Sequence, residues 1–148
     1  MTAITDLPPA NAIAKFREGF GPRFIITVDT EEEFAWNAPF RRTGHTLNHV
    51  ARIRDFQNFC EDHGIVPIYV MDFPIATSPL ASAVLGDAAA NGRAKLGIHL
   101  HPWVTPPHEE EVNDRNSFAG NLPPELEEAK FDRTKQALTS QFGVEPRI

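Results

Sequence analysis

The feature that most constrains the fold is an alternation of short apolar segments with helical segments. The apolar segments predict strands at 24–28, 65–73 and 95–103. Helical spacing and capping residues predict helices at 46–63, 78–92 and 123–142, and the final residues, FGVEPRI, indicate a helix stop and the start of a fourth strand. This alternation is typical of parallel strands joined by right-handed crossovers, with helices packed outside. An open three-layer sheet and part of a β/α barrel both fit it.

The length and composition favour a single globular domain. The chain has 148 residues, of which 41% are hydrophobic and 23% charged, as in ordinary soluble domains with a hydrophobic core. Residues 1–21, which end in a glycine-rich turn, are expected to be a lead-in. We expect the domain to occupy residues 22–148.

Charge and hydropathy exclude several classes of protein. The net charge of -6 and the lack of a basic run argue against nucleic-acid binding. No apolar run approaches the roughly 18 residues of a membrane span, and the N-terminus lacks the pattern of a signal peptide. The single cysteine, Cys60, excludes an intrachain disulfide. We therefore expect a cytoplasmic protein that contacts neither membrane nor nucleic acid.

Residues able to bind metal or move protons follow all three predicted strands. Asp29 and Glu31 end the first strand, Asp72 ends the second, and His99 and His101 end the third. The carboxyl ends of parallel strands form the functional face of such folds. Any one of these residues could simply satisfy loop backbone groups, but their coincidence at three strand ends predicts a site.

The spacing within these motifs suggests a metal site. Residues i and i+2 of a strand share a face, so His99 and His101 can bind one ion, although such a pair can also be two packed histidines. A carboxylate would complete a three-ligand site with an open position. Asp29 and Glu31 share a face in the same way, so one can bind the metal while the other acts as a base. The adjacent Glu32 and Glu33 are interpreted as solvated loop residues.

Other side chains near these strand ends are candidates for substrate contact. We assign Asp72, Trp36 and Trp103 to this role, since aromatic rings beside a polar site can stack on sugar rings, although anchoring a loop is their commoner use. His49 is interpreted as a surface residue. The acidic run 109–111 is expected to be a solvated charge cluster.

The motifs ITVDTEEEF, YVMDFP and GIHLHPWVTPP, in this order, resemble the polysaccharide deacetylase superfamily, which is named for the chitooligosaccharide deacetylase homology domain. The resemblance extends over residues 23–148 and is to the subgroup with Asp-x-Glu and His-x-His motifs. GNLP at 120–123 and FGVEP at 142–146 are similar to that subgroup as well.

The resemblance implies a distorted β/α barrel, of which this chain would form about three βα units. It implies a hydrolase acting on carbon–nitrogen bonds other than peptide bonds, which removes N-acetyl groups from a carbohydrate with a divalent metal, usually zinc. By position, Asp29 matches the general base, Glu31 the metal-binding carboxylate and His99 the first metal-binding histidine. The more usual motif has its second histidine where Trp103 stands, so His101 is the expected partner here.

The sequence ends at Ile148, where an arginine motif of the family would begin, and the family's later histidine motif supplies the general acid. We therefore expect this chain to be the N-terminal portion of a deacetylase domain. Whether this portion is active by itself is an open question, and a homo-oligomer would cover its open sheet edge. Two alternatives are a non-catalytic metal-binding fragment or pseudoenzyme of the same fold, and another metallohydrolase on a β/α scaffold.

Overall fold

Three short parallel strands form the centre of the protein. A computed structural model describes residue 7, residues 9–12 and residues 14–146. One sheet has the order β1-β2-β3, with β1 at Thr27–Thr30, β2 at Ile68–Met71 and β3 at Lys95–Ile98. Each neighbouring pair is parallel, so the predicted alternation of strands and helices is confirmed.

Four α-helices follow the strands along the chain. The bounds are Ile53–Asp62 for α1, Phe73–Ala76 for α2, Pro79–Ala90 for α3 and Pro124–Phe142 for α4. A 3-10 helix at Asn48–Arg52 leads into α1, and further 3-10 turns lie at Ala10–Ala12, Pro102–Val104 and Ala119–Asn121. Ser78 caps α3 as predicted, because its hydroxyl accepts a hydrogen bond from the amide of Ala81 at 3.2 Å.

The core lies between one face of the sheet and the helices. Tyr69, Met71 and Leu96 point to this face and are buried in one cluster with residues of α2, α3 and α4. On the other face, Asp29 is exposed and Val70 is half-buried, whereas Gly97 beside Val70 is buried. In a β/α barrel the strands likewise follow one another in sequential order, with the helices on one face. The small open sheet is compatible with the predicted partial barrel.

The strands are shorter than predicted. Phe24 and Ile25, predicted to open a buried strand, are 80% and 68% exposed. Pairing of β1 with β2 starts only at Thr27 opposite Ile68. Pro67 directly precedes β2 and has no amide hydrogen. Its carbonyl oxygen accepts from the amide of Lys95 at 2.9 Å, so the ladder bond that it cannot make is on the side of β3.

The ends of the described chain leave two predictions without a test. Helix α4 ends at Phe142, and Gly143 closes it in the left-handed conformation at φ 68°. The predicted fourth strand extends over Arg147 and Ile148, which lie outside the described residues. The described residues of the predicted lead-in form one 3-10 turn at Ala10–Ala12 and are otherwise turns and irregular backbone, and its boundary stays a prediction.

A buried lysine joins α4 to the loop that follows β3. The Lys130 ammonium donates to the carbonyl oxygens of Pro102, Thr105 and Pro107 at 3.0, 2.5 and 2.7 Å. It also lies 3.0 Å from Glu110 Oε2, and the Glu110 side chain is only 4% exposed. The prediction that this acidic run is solvated is therefore wrong for Glu110. Burial lowers the pKa of Lys130 from its ordinary value.

We predict that Lys130→Met lowers the free energy of unfolding by about 3 kcal/mol, because it leaves a buried carboxylate and three carbonyl oxygens without their donor. Urea unfolding measures the change. Lys135→Met is the matched control on the same helix, since Lys135 is 43% exposed and pairs with Glu145 at 3.0 Å. Its loss should stay below about 1 kcal/mol. Equal losses in the two variants would contradict the assignment.

Candidate metal centre

The ends of the three strands are held in register beyond the strands themselves. The amide of Asp72 donates to Thr30 O at 3.2 Å, and the amide of His99 donates to Met71 O at 2.9 Å. These bonds place the residues that follow each strand side by side. The predicted meeting of the motifs at one edge of the sheet is confirmed.

Three side-chain atoms from two of these ends converge on one point. Glu31 Oε2 lies 3.1 Å from His99 Nε2 and 3.2 Å from His101 Nε2. The two imidazole nitrogens lie 3.1 Å apart. Strand β3 ends at Ile98, before either histidine, yet the two rings still share a face as predicted. By this spacing, the three residues could hold a metal ion.

The chemistry of this donor set fits a metal ion. His101 Nδ1 lies 2.8 Å from Glu32 Oε2. In the tautomer whose Nδ1–H donates to this carboxylate, Nε2 presents a lone pair. A lone pair and a carboxylate oxygen facing each other at 3.2 Å need a cation, or a proton on His99, between them. Two ligands of a tetrahedral zinc ion with bonds of about 2.0–2.1 Å lie about 3.3 Å apart, close to the observed separations.

Glu32 is the residue that the sequence interpretation placed wrongly. It was predicted to be solvated, but it is only 2% exposed. One carboxylate oxygen accepts from His101, and the other accepts from Trp103 Nε1 at 2.9 Å. Burial raises the pKa of Glu32 from its ordinary value. A signal was available, since successive strand residues face opposite sides and a metal-binding histidine usually donates its second nitrogen to a carboxylate.

Glu33 is also more than a loop residue. It forms an isolated antiparallel bridge with Thr46 and accepts from the backbone amides of Asn48 at 3.3 Å and His49 at 3.0 Å. The hydrogen bond from the Thr46 hydroxyl is the main cause that lowers the pKa of Glu33 to about 2. Its second oxygen lies 3.2 Å from His49 Nδ1. Glu33 therefore anchors the segment that leads into α1.

Asp72 lies beneath the site. Its side chain is fully buried; one oxygen accepts from the amide of Ile75 at 2.9 Å and caps α2, while the other accepts from the amide of Glu32 at 2.7 Å. Burial, together with the neighbouring Glu32, raises the pKa of Asp72 to about 8. The predicted contact of Asp72 with substrate does not fit this position.

A second group of three could also hold a metal ion by its spacing, namely Glu32, Asp72 and His101. All three are buried, and each carboxylate oxygen of Glu32 and Asp72 already accepts a hydrogen bond. The first group differs because Glu31 and His99 are 25% and 31% exposed at their side chains. Only a partly exposed group leaves room for water or substrate beside the ion.

Aromatic rings enclose His101. The ring of Trp103 stacks on it with centroids 4.3 Å apart, and Phe34 meets it edge-on at 5.5 Å. Burial lowers the pKa of His101, which favours the neutral form that binds metal. Trp103 is only 5% exposed and packs on this histidine and on Phe40, whereas Trp36 is 72% exposed.

Two clefts flank the converging side chains. One, of about 330 Å³, is lined by Asp29, Glu31 and His49 among others. The second, of about 540 Å³, is lined by His99, His101, Trp36 and Phe118 among others. Asp29 is exposed on β1 and shares the first cleft with Glu31, as its predicted role as base requires. Phe118 had not been predicted to line the site, because its segment has no periodic pattern.

A scan against protein-family models finds no matching family, and searches of curated proteins and of solved structures find no match. Within the described part of the chain, no helix is both long and apolar enough to cross a membrane. The family resemblance therefore stays a prediction from the motifs.

We predict that Glu32→Gln weakens zinc binding by about 10- to 100-fold, because the amide cannot accept from His101 and Trp103 as a carboxylate does. Competition with a chelator of known affinity measures the change. Glu33→Gln is the control, since Glu33 contacts Thr46, Asn48 and His49 and none of the candidate ligands. Similar losses in both variants would show that Glu32 has no special role.

The raised pKa of Asp72 predicts a pH-dependent stability in the chelator-treated protein. The proton bound by Asp72 stabilises the folded state. This contribution is complete below about pH 3.9, the pKa of the group in the unfolded chain, and it is lost as the pH rises through the folded pKa of about 8. Asp72→Asn should be less stable than wild type in mildly acid solution, and the gap should narrow towards pH 8. Urea unfolding across this range measures the gap, and a gap that is constant or widens would refute the expectation.

Proposed function

We propose that this protein is a metal-dependent hydrolase that removes N-acetyl groups from a carbohydrate, with zinc as the metal. The observation that carries the proposal is the convergence of Glu31, His99 and His101, with Glu32 fixing the orientation of His101. The motif resemblance supplies the reaction and the class of substrate. The convergence supports it, because a site of three ligands with partial exposure is the arrangement found in catalytic zinc centres.

In this proposal, Glu31, His99 and His101 hold the ion. A zinc ion bound there supplies Lewis acidity, which activates water and polarises the acyl carbonyl. Asp29 accepts the proton of the attacking water, since it is exposed in the same cleft as Glu31. Glu32 keeps the proton on His101 Nδ1, and the Trp103 ring limits water on one side of that imidazole. The hydroxide adds to the acyl carbon, the carbon–nitrogen bond breaks to release acetate, and the departing amine takes up a proton from solvent.

The second candidate function is a metal-binding module of the same fold without turnover. It is favoured by the open sheet, because neither β1 nor β3 has a further strand partner among the described residues. Unpaired strand edges invite pairing with another chain. In that reading the metal group stabilises the fold, and a second copy covers the edge.

Two measurements separate these candidates. Zinc content after dialysis tests the metal group. We expect the His99→Ala and His101→Ala variants each to lose bound zinc. The His63→Ala variant should retain it, because His63 is exposed at the end of α1. Acetate release from an N-acetylglucosamine tetramer then tests turnover. Zinc binding without acetate release favours the module. Full zinc content in both the His99→Ala and the His101→Ala variant would refute the proposed metal centre.

We predict that Asp29→Asn lowers the rate of acetate release by about 10²–10⁴-fold and leaves zinc content unchanged, because it removes the proton acceptor and no ligand. Rates at saturating substrate, with zinc content measured on the same samples, give the comparison. Asp55→Asn is a matched control, because Asp55 lies on α1 with its side chain 73% exposed. Activity that is insensitive to Asp29→Asn would exclude Asp29 as the base.

A further inference from the structure

Two exposed aromatic rings from separate loops line one cleft beside the candidate metal centre. Trp36, in the loop after β1, is 72% exposed, and Phe118, in the loop after β3, is 69% exposed. Large aromatic side chains are normally buried at least in part, so two such exposed rings on one cleft favour a binding surface. The neighbouring Phe40 is half-buried and packs at a tilt against Trp103, with ring centroids 4.4 Å apart.

The loops that carry the two rings are tied together. Arg42, in the first loop, donates to the backbone carbonyl of Glu110 at 2.5 Å. Glu110 lies in the second loop and is held by Lys130 of α4. Within the first loop, the ring of Phe34 contacts that of Trp36, with centroids 4.5 Å apart. A cleft whose walls are positioned before binding loses less conformational entropy when a ligand enters.

The two clefts are lined by negatively charged side chains. Their ionisable lining residues, apart from histidines, are all acidic: Asp29, Glu31, Glu32, Glu33 and Asp114. Among the residues that the structure describes, no lysine or arginine lines either cleft. Trp36 lines both clefts, so a ligand on its ring also extends towards the carboxylates. Even with a divalent ion bound, the carboxylates outnumber its charge, which disfavours an anionic ligand.

We infer that Trp36 and Phe118 determine specificity: they take the apolar face of a ring-shaped ligand, and the acidic lining restricts that ligand to neutral or cationic compounds. The inference rests on the proposed function for the position of the reacting group, but the selection itself is a property of the two rings and the carboxylates. An oligosaccharide with free amino groups meets the requirement, and one with carboxylate groups does not.

Calorimetric binding to three tetramers tests the inference: N-acetylglucosamine (neutral), glucosamine (cationic, in mildly acid buffer) and hyaluronan (anionic). A chelator is present so that no turnover occurs. We expect the neutral and cationic tetramers to bind at least about tenfold more tightly than hyaluronan. Equal or tighter binding of hyaluronan would overturn the charge selection.

Variants test the rings directly. We expect Trp36→Ala and Phe118→Ala each to weaken binding of the N-acetylglucosamine tetramer by about tenfold, the order expected for an aromatic stacking contact. Phe59→Ala is the control, because Phe59 is 52% exposed on α1 and lines neither cleft. Affinities within twofold of wild type in both the Trp36→Ala and the Phe118→Ala variant would overturn the inference.

The readout also separates this inference from the proposed function. If tetramer binding depends on both rings but no acetate is released when zinc is restored, the role of the two rings in specificity is supported and the hydrolase function is rejected. If acetate is released and neither ring variant changes its rate or KM, the hydrolase function is supported and the role of the two rings in specificity is rejected.

Discussion

The site depends on one buried carboxylate. Glu32 binds the imidazole of His101 and the indole of Trp103 through its side chain, while its backbone amide donates to Asp72. The three strand ends are thereby joined by hydrogen bonds through one residue. A buried carboxylate is costly unless it is fully hydrogen-bonded, and both of its oxygens have partners here. The orientation of His101, and with it the convergence on Glu31 and His99, follows from this network.

Much of the arrangement could be predicted from local pattern. The alternation of apolar and helical segments identified the parallel sheet and its helices. The two-residue spacing of His99 and His101 predicted that they share a face, which they do although β3 ends before them. Ser78 before Pro79 marked the start of α3 correctly. These features depend on neighbours within a few residues, which is the range over which sequence patterns carry information.

The rest depended on contacts between distant parts of the chain. The burial of Glu32 follows from side chains about 70 positions away, and that of Glu110 from a lysine on α4. Charge alone suggested solvent for both glutamates, because acidic residues are rarely buried unless paired. The exception for paired groups applies to both residues, and the partners are visible only in three dimensions.

The long separations within the site link its assembly to that of the whole domain. Glu32 reaches partners 40 and 69 residues along the sequence, so the ligand geometry cannot exist before all three strands have met. An ion that binds only this assembled geometry draws the chain towards the folded state by mass action, by about 2.7 kcal/mol at a free concentration 100 times its dissociation constant. Small domains are stable by only about 5–15 kcal/mol. If an ion occupies this group, its free concentration would thus change the free energy of unfolding by a substantial part of that total.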